Sequence, residues 1–326
     1  MTGCTPLTAT PASPAPPLLA RGPSRRECLR AAWAGVAVLS VAQGVLTREI
    51  FAQEPRVADG SRSVSDADEI AMGQRFAAEL EKEAPILSNP AIDRYLNSVV
   101  QELASQSQRP SLPYRVKVIN TMEVNASSLP GGTLYLNRGM LELMSSEDEL
   151  AATLAHEIGH VAGRHAIHQL MLTLQARALL QPVLDNLNKQ NGVVEKIILQ
   201  LGGAVALLAR LHFSRQDEAQ ADLLGFYEVL RAGWDPHGFV KMFAALEALE
   251  KINDGRSVAI LSGHPPTPER LKAIQHEIAR VSIPEDARTD SVEFRVCKAT
   301  LRRLPKPAKI REIQPQTRSH GQPQAD

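Results

Sequence analysis

The sequence predicts an α+β fold, mainly helical, with one small β-sheet. Three observations carry that expectation. Long stretches repeat apolar residues at helical spacing behind Ser, Asn, Thr-Pro or Asp-Pro starts. Tyr114–Ile119 (YRVKVI) alternates and is β-branched, and Thr133–Leu136 (TLYL) follows a Pro130-Gly131-Gly132 turn as a short partner strand. No self-similar period runs along the 326 residues, which excludes a repeat array.

The elements follow in chain order. Residues 64–84 read as a helix with acidic residues at its start, where the helix dipole favours them. Asn89-Pro90 breaks the pattern, and residues 91–105 read as a second helix. Ser146-Glu147-Asp148-Glu149 fits a capping box, opening a helix expected to run to about His168. Residues 169–190 look helical with a break at Pro182. Ile197–Ala209 carries no formal charge but is too short to span a bilayer, so it reads as a buried helix or a surface that grazes a membrane. Further helices are expected over Gln216–Ala232, from Asp235-Pro236 to Glu250, and from Thr267-Pro268 to Arg280. Residues 304–326 are polar and Pro-rich and are expected to be disordered.

Composition narrows the function classes. A 44% hydrophobic content can fill a core, while a formal net charge of +0 without a Lys/Arg run excludes a nucleic-acid partner. The first 52 residues form a leader. Ser24-Arg25-Arg26-Glu27-Cys28-Leu29-Arg30 precedes 17 uncharged residues from Ala31 to Thr47, the arrangement of an export signal. The run resembles a twin-arginine signal with Cys28 in the usual Phe position, and Ser40-Val41-Ala42 offers a cleavage site. A periplasmic protein is expected, with an uncleaved inner-membrane anchor as the alternative. Cleavage would leave Cys297 as the lone cysteine, without an internal disulfide partner. Residues 53–282 are then the catalytic domain and 283–326 a C-terminal extension.

The chemistry concentrates in His156-Glu157-Ile158-Gly159-His160. Residues four apart on a helix differ by about 40° in direction, so both imidazoles face one point. Two histidines one turn apart suit a zinc ion, and Glu157, about 100° round, can reach the attacking water without ligating. A catalytic ion needs a third protein ligand. On a continuous helix His165 would lie about 180° from His156 and His168 about 120° from it, both poorly aimed. A metzincin would need His at position 166, which is Ala166. The third candidate is Glu218, in Phe213-Ser214-Arg215-Gln216-Asp217-Glu218-Ala219-Gln220-Ala221-Asp222. Asp222 shares its helix face and can accept the free N–H of a ligating histidine.

The order Asn125…Leu129-Pro130-Gly131-Gly132, then HEIGH with His165, then FSRQDEAQAD, then Gly263-His264-Pro265-Pro266-Thr267-Pro268-Glu269-Arg270 resembles metallopeptidase family forty-eight, the HtpX-, BepA- and OMA-like zinc endopeptidases. The likeness covers about residues 64–280. It implies a zincin-like domain of the gluzincin type, with one zinc ion held by His156, His160 and the distant Glu218. Lacking the multiple membrane spans of HtpX, the chain is similar to the soluble periplasmic members. In those members a histidine at the position of His264 can approach the ion as a fourth ligand, and it could instead steady an oxyanion. Arg270 is expected in a structural ion pair. Two departures stand out. Ser127-Ser128 replaces the Phe-Ala that many members carry, and no counterpart of BepA's C-terminal helical repeats is expected from these residues.

The expected activity is hydrolysis of peptide bonds in unfolded or misassembled envelope proteins, with Glu157 as general base and acid. Substrate is expected to add to an edge strand bordering the site, formed by Gly132, Thr133, Leu134, Tyr135 and Leu136. The rival expectation is a chaperone-like binding protein whose peptidase site is kept latent by His264.

Overall fold

Ser65 closes the first turn of the opening helix by accepting the Asp68 N–H at 3.1 Å. That helix, α1, spans Asp66–Glu83. The computed structural model describes residues 64–172, 213–252 and 263–307. The leader, the Pro182 break, the Ile197–Ala209 stretch and residues 308–326 lie outside them. Strand β1 is Ile86–Leu87, and helix α2, Pro90–Ala104, follows. Asn89 both breaks and starts here, since its side chain accepts the Ala91 and Ile92 N–H groups while Pro90 fills the first turn.

The sheet comprises β1, β2 (Arg115–Ile119), β3 (Ala126–Ser128) and β4 (Thr133–Asn137), in the order β1-β2-β4-β3. In β2, Val116 and Val118 are buried on one face, as alternation requires. Strand β4 is buried at all five positions and is paired on both sides, parallel to β2 and antiparallel to β3. This corrects the expectation of an edge strand at Gly132, Thr133, Leu134, Tyr135 and Leu136. The edge beside the main helix is β3, a three-residue Ala-Ser-Ser strand with almost no propensity signal. The turn joining β3 to β4 uses Gly131 and Gly132 at φ 76° and 102°. A Cβ on Gly131 would also meet the Ile70 backbone at 2.6 Å, so α1 packs directly over this turn.

After a short helix α3 (Arg138–Leu143), helix α4 (Glu147–Ala162) runs through the interior with every residue buried. Ser146 is its N-cap residue, but the expected capping box is absent. The Ser146 hydroxyl donates to the carboxylates of Asp148 and Glu149 instead of accepting the Glu149 N–H, and Glu149 reaches back to the Ser145 N–H. Two neighbouring carboxylates, Asp148 and Glu149, draw the one hydroxyl proton. The helix also ends earlier than expected, at Ala162. Gly163 caps it, Arg164 takes a left-handed φ of 56°, and helical structure restarts over residues 165–172.

Helices α5 (Arg215–Arg231), α6 (His237–Ile252) and α7 (Pro268–Arg280) follow the expected spans closely. Helix α8 (Val292–Arg303) was not anticipated. It packs on α2 and α3, and a reciprocal arrangement of cations and carbonyls joins it to α3. Arg138 of α3 donates to the Leu301 and Leu304 carbonyls, and Lys298 of α8 donates to those of Leu141, Glu142 and Met144. Each cation thus satisfies the carbonyl end of the opposite helix. Among the described residues no helix is long and apolar enough to cross a membrane.

Candidate metal centre

Helices α4 and α5 cross in close contact, and the crossing is built from small residues. A Cβ on Gly159 would lie 2.5 Å from the Ala221 carbonyl oxygen, and one on Gly225 would lie 2.8 Å from Ala155 backbone atoms. The two backbones therefore meet where α4 presents His156, Glu157 and His160 and α5 presents Glu218 and Asp222. Ser214 and Asp217 form a full capping box at the start of α5, which fixes Glu218 in its first turn.

His156, His160, Glu218 and His264 each offer a ligand atom, and these four atoms lie within 4.8 Å of one another. His156 Nε2 is 3.0 Å from His160 Nε2, and His160 Nε2 is 3.3 Å from Glu218 Oε1. Glu218 Oε2 is 3.6 Å from His156 Nε2. A tetrahedral ion with bonds of about 2.0–2.1 Å separates adjacent ligand atoms by roughly 3.3–3.4 Å, so these spacings suit one. His264 Nδ1 lies 2.8 Å from Glu218 Oε1 and 3.2 Å from His156 Nε2. Glu157 is 2% exposed, and its Oε2 is buried without a hydrogen-bond partner.

The rear of the cluster is ordered by charge. Asp222 Oδ1 is 2.8 Å from His156 Nδ1, so that ring is steadied on the side away from the ion site. Arg270 grips Asp222 through Nε at 2.6 Å and Nη2 at 2.7 Å, and its Nη1 is 2.7 Å from Glu218. Burial alone would raise the Asp222 carboxyl, but the Arg270 guanidinium outweighs it and holds the group below its usual range. Glu218 is likewise pulled down against its burial, by hydrogen bonds from His160 and His264. Burial lowers His160 and His165, which keeps both rings neutral.

His165 does not point away as the continuous helix implied. The break at Gly163-Arg164 folds it back, so that its Nδ1 lies 2.9 Å from His160 Nδ1 and its Nε2 lies 2.9 Å from Gln220 Oε1. Gly163 makes this possible, since a Cβ there would meet the His165 ring at 2.4 Å. Glycine near the end of a periodic stretch is a helix-stop signal, and it would have released His165 from the helical wheel. His168 is exposed, and β4 lies within the sheet rather than along the cleft. The Phe213 ring packs against His160 at 4.2 Å between centroids. Met140, Thr153, Met242, Phe243 and Leu246 line a pocket beside Glu157 and His264.

The sequence profile of peptidase family M48 matches residues 90–278. The chain is 29% identical over 226 residues to the beta-barrel assembly-enhancing protease of Escherichia coli strain K12, covering 64% of this chain and 43% of that protein. It is 28% identical over 189 residues to the mitochondrial metalloendopeptidase OMA1 of Schizosaccharomyces pombe, covering 58% and 54%. It is 26% identical over 219 residues to the metalloprotease YcaL of Escherichia coli strain K12, covering 67% and 82%. The chain thus spans less than half the length of the beta-barrel assembly-enhancing protease it matches.

Proposed function

The chain belongs to peptidase family M48, and on that premise we propose that it is a zinc-dependent endopeptidase acting on extended, unfolded segments of polypeptide. One observation carries the reading: two imidazole nitrogens and a carboxylate oxygen converge at ligand spacing, with Glu157 beside them, its Oε2 unpartnered and its Oε1 3.8 Å from His264 Nε2. His156, His160 and Glu218 would hold the ion. When bound, zinc supplies Lewis-acid activation of a water molecule and of the scissile carbonyl. Glu157 takes the proton from the attacking water and returns it to the leaving amine. Asp222, gripped by Arg270, keeps His156 in the tautomer that turns its Nε2 toward the ion.

Substrate would lie along β3, whose outer edge faces no further strand among the described residues. Strand addition reads backbone hydrogen bonds more than side chains, which favours unfolded chains over one fixed sequence. The leader makes the periplasm the proposed compartment and misassembled envelope proteins the proposed substrates, in keeping with the beta-barrel assembly-enhancing relatives.

A second reading draws on His264, which sits within the ligand cluster and could fill the fourth position, keeping the peptidase latent. One experiment tests both. Purified full-length protein is incubated with unfolded casein, as parent, Glu157→Gln and His264→Ala. Cleavage by the parent and about 10²–10⁴-fold less by Glu157→Gln, with zinc retained, is the expected result for a general base. Equal cleavage by the two removes Glu157 from the mechanism. An inert parent with an active His264→Ala selects the latent reading.

A further inference from the structure

The two imidazoles of the centre are backed differently. His156 leans on a carboxylate, Asp222, itself neutralised by Arg270. His160 leans on another imidazole. His165 Nδ1 stands 2.9 Å from His160 Nδ1, and its far nitrogen stands 2.9 Å from Gln220 Oε1. All three side chains project from different places: His160 from α4, His165 from just beyond the break at Gly163-Arg164, Gln220 from α5.

Resting on the endopeptidase reading above, we propose that His165 and Gln220 form a neutral relay that positions His160 for the metal. The proton placement is forced. His160 Nε2 faces His156 and Glu218, so ligation there needs a lone pair on Nε2 and the ring proton on Nδ1. His160 Nδ1–H then donates to His165 Nδ1. His165 must therefore carry its own proton on Nε2, which donates to the Gln220 carbonyl oxygen. The Asp217 carboxylate, 3.9 Å from the same His165 nitrogen, can only accept, and so favours that tautomer too. Gln220 reversed in its amide would put the proton on the wrong side of both rings.

Charge explains why this backing is neutral. Glu157, Glu218 and Asp222 bring three carboxylates to the site, and Arg270 with a divalent ion balances them. A carboxylate behind His160 would leave a buried negative charge without a partner, which is costly in a region of low dielectric. An imidazole supplies the same acceptor without the charge. The fold has been shaped around it, because Gly163 leaves the space that the His165 ring occupies.

The test uses full-length protein stripped of metal and titrated with Zn²⁺ against a competing chelator, with parent, His165→Leu, His165→Asn and Gln220→Leu. Thermal unfolding of the metal-free forms reports folding separately. His165→Leu removes the acceptor and should weaken Zn²⁺ binding about 10–100-fold, the usual effect of losing the partner of a ligating histidine. His165→Asn returns an acceptor oxygen near the Nδ1 position and should recover most of that loss. Gln220→Leu, farther out, should lose affinity in the same direction but less. With Co²⁺ in place of Zn²⁺, the visible ligand-field band should shift in His165→Leu and return in His165→Asn. Parent-like Zn²⁺ affinity in a folded His165→Leu overturns the relay, as does a His165→Asn no better than His165→Leu. A parent that binds no Zn²⁺ overturns the endopeptidase reading itself, a separate failure.

Discussion

Arg270 lies under two acidic side chains at once, with its fork on Asp222 and its remaining nitrogen on Glu218. Its ring-facing side rests on Phe243, with the guanidinium carbon 5.1 Å from the centroid. Planar, always charged and five-fold donating, arginine suits this place where lysine would not. Removing it leaves buried carboxylates beside histidines with no cation to offset them. Arg270→Gln should therefore cost about 3 kcal/mol in the unfolding free energy of the metal-free protein, measured by urea denaturation. A loss below about 1 kcal/mol would mean that water or a neighbouring donor replaces the guanidinium. The ion pair was foreseeable from the resemblance at His264-Pro265-Pro266-Thr267-Pro268-Glu269-Arg270, but not its two partners. Those depend on where α7 lands against α5, which residue spacing along the chain does not specify.

Among the elements, the α4–α5 crossing decides the geometry of the centre. His156 and His160 come from one helix and are matched to each other by its own pitch. Glu218 comes from another helix, so its distance from them is set by how closely the two backbones approach. Gly159 and Gly225 set that approach, each lying where a side chain would strike the opposite backbone. Gly225→Ala should wedge the helices apart, costing about 1–3 kcal/mol and weakening metal binding in parallel. Urea unfolding and a chelator titration check the two effects together. Stability within about 0.5 kcal/mol of the parent, with unchanged affinity, would show that the helices can slip without opening the centre. The same helices show what local sequence can disclose. The periodicity of α5 and its capping box were readable, since both are local. The early end of α4 was readable only by giving Gly163 its weight as a stop signal. Without that, His165 was placed on the wrong face.

At the scale of the whole molecule, the mainly helical class and the order of motifs were legible, because long amphipathic stretches and the HEIGH spacing are written in consecutive residues. The sheet topology was less so. Strand β4 looked like an edge because its neighbour β3, Ala126–Ser128, is short and carries no β-branched residue. Helix α8 was legible too, in its Ser291 cap and in Phe294, Cys297 and Leu301 at helical spacing, but its docking through Lys298 and the distant Arg138 was not. These contacts brace the body that holds the centre. The central claim is that His156, His160 and Glu218 together hold one zinc ion, and its most direct test is native mass spectrometry of the full-length protein. One zinc per chain in the parent and almost none in Glu218→Ala is the expected result. One zinc per chain in both would contradict it.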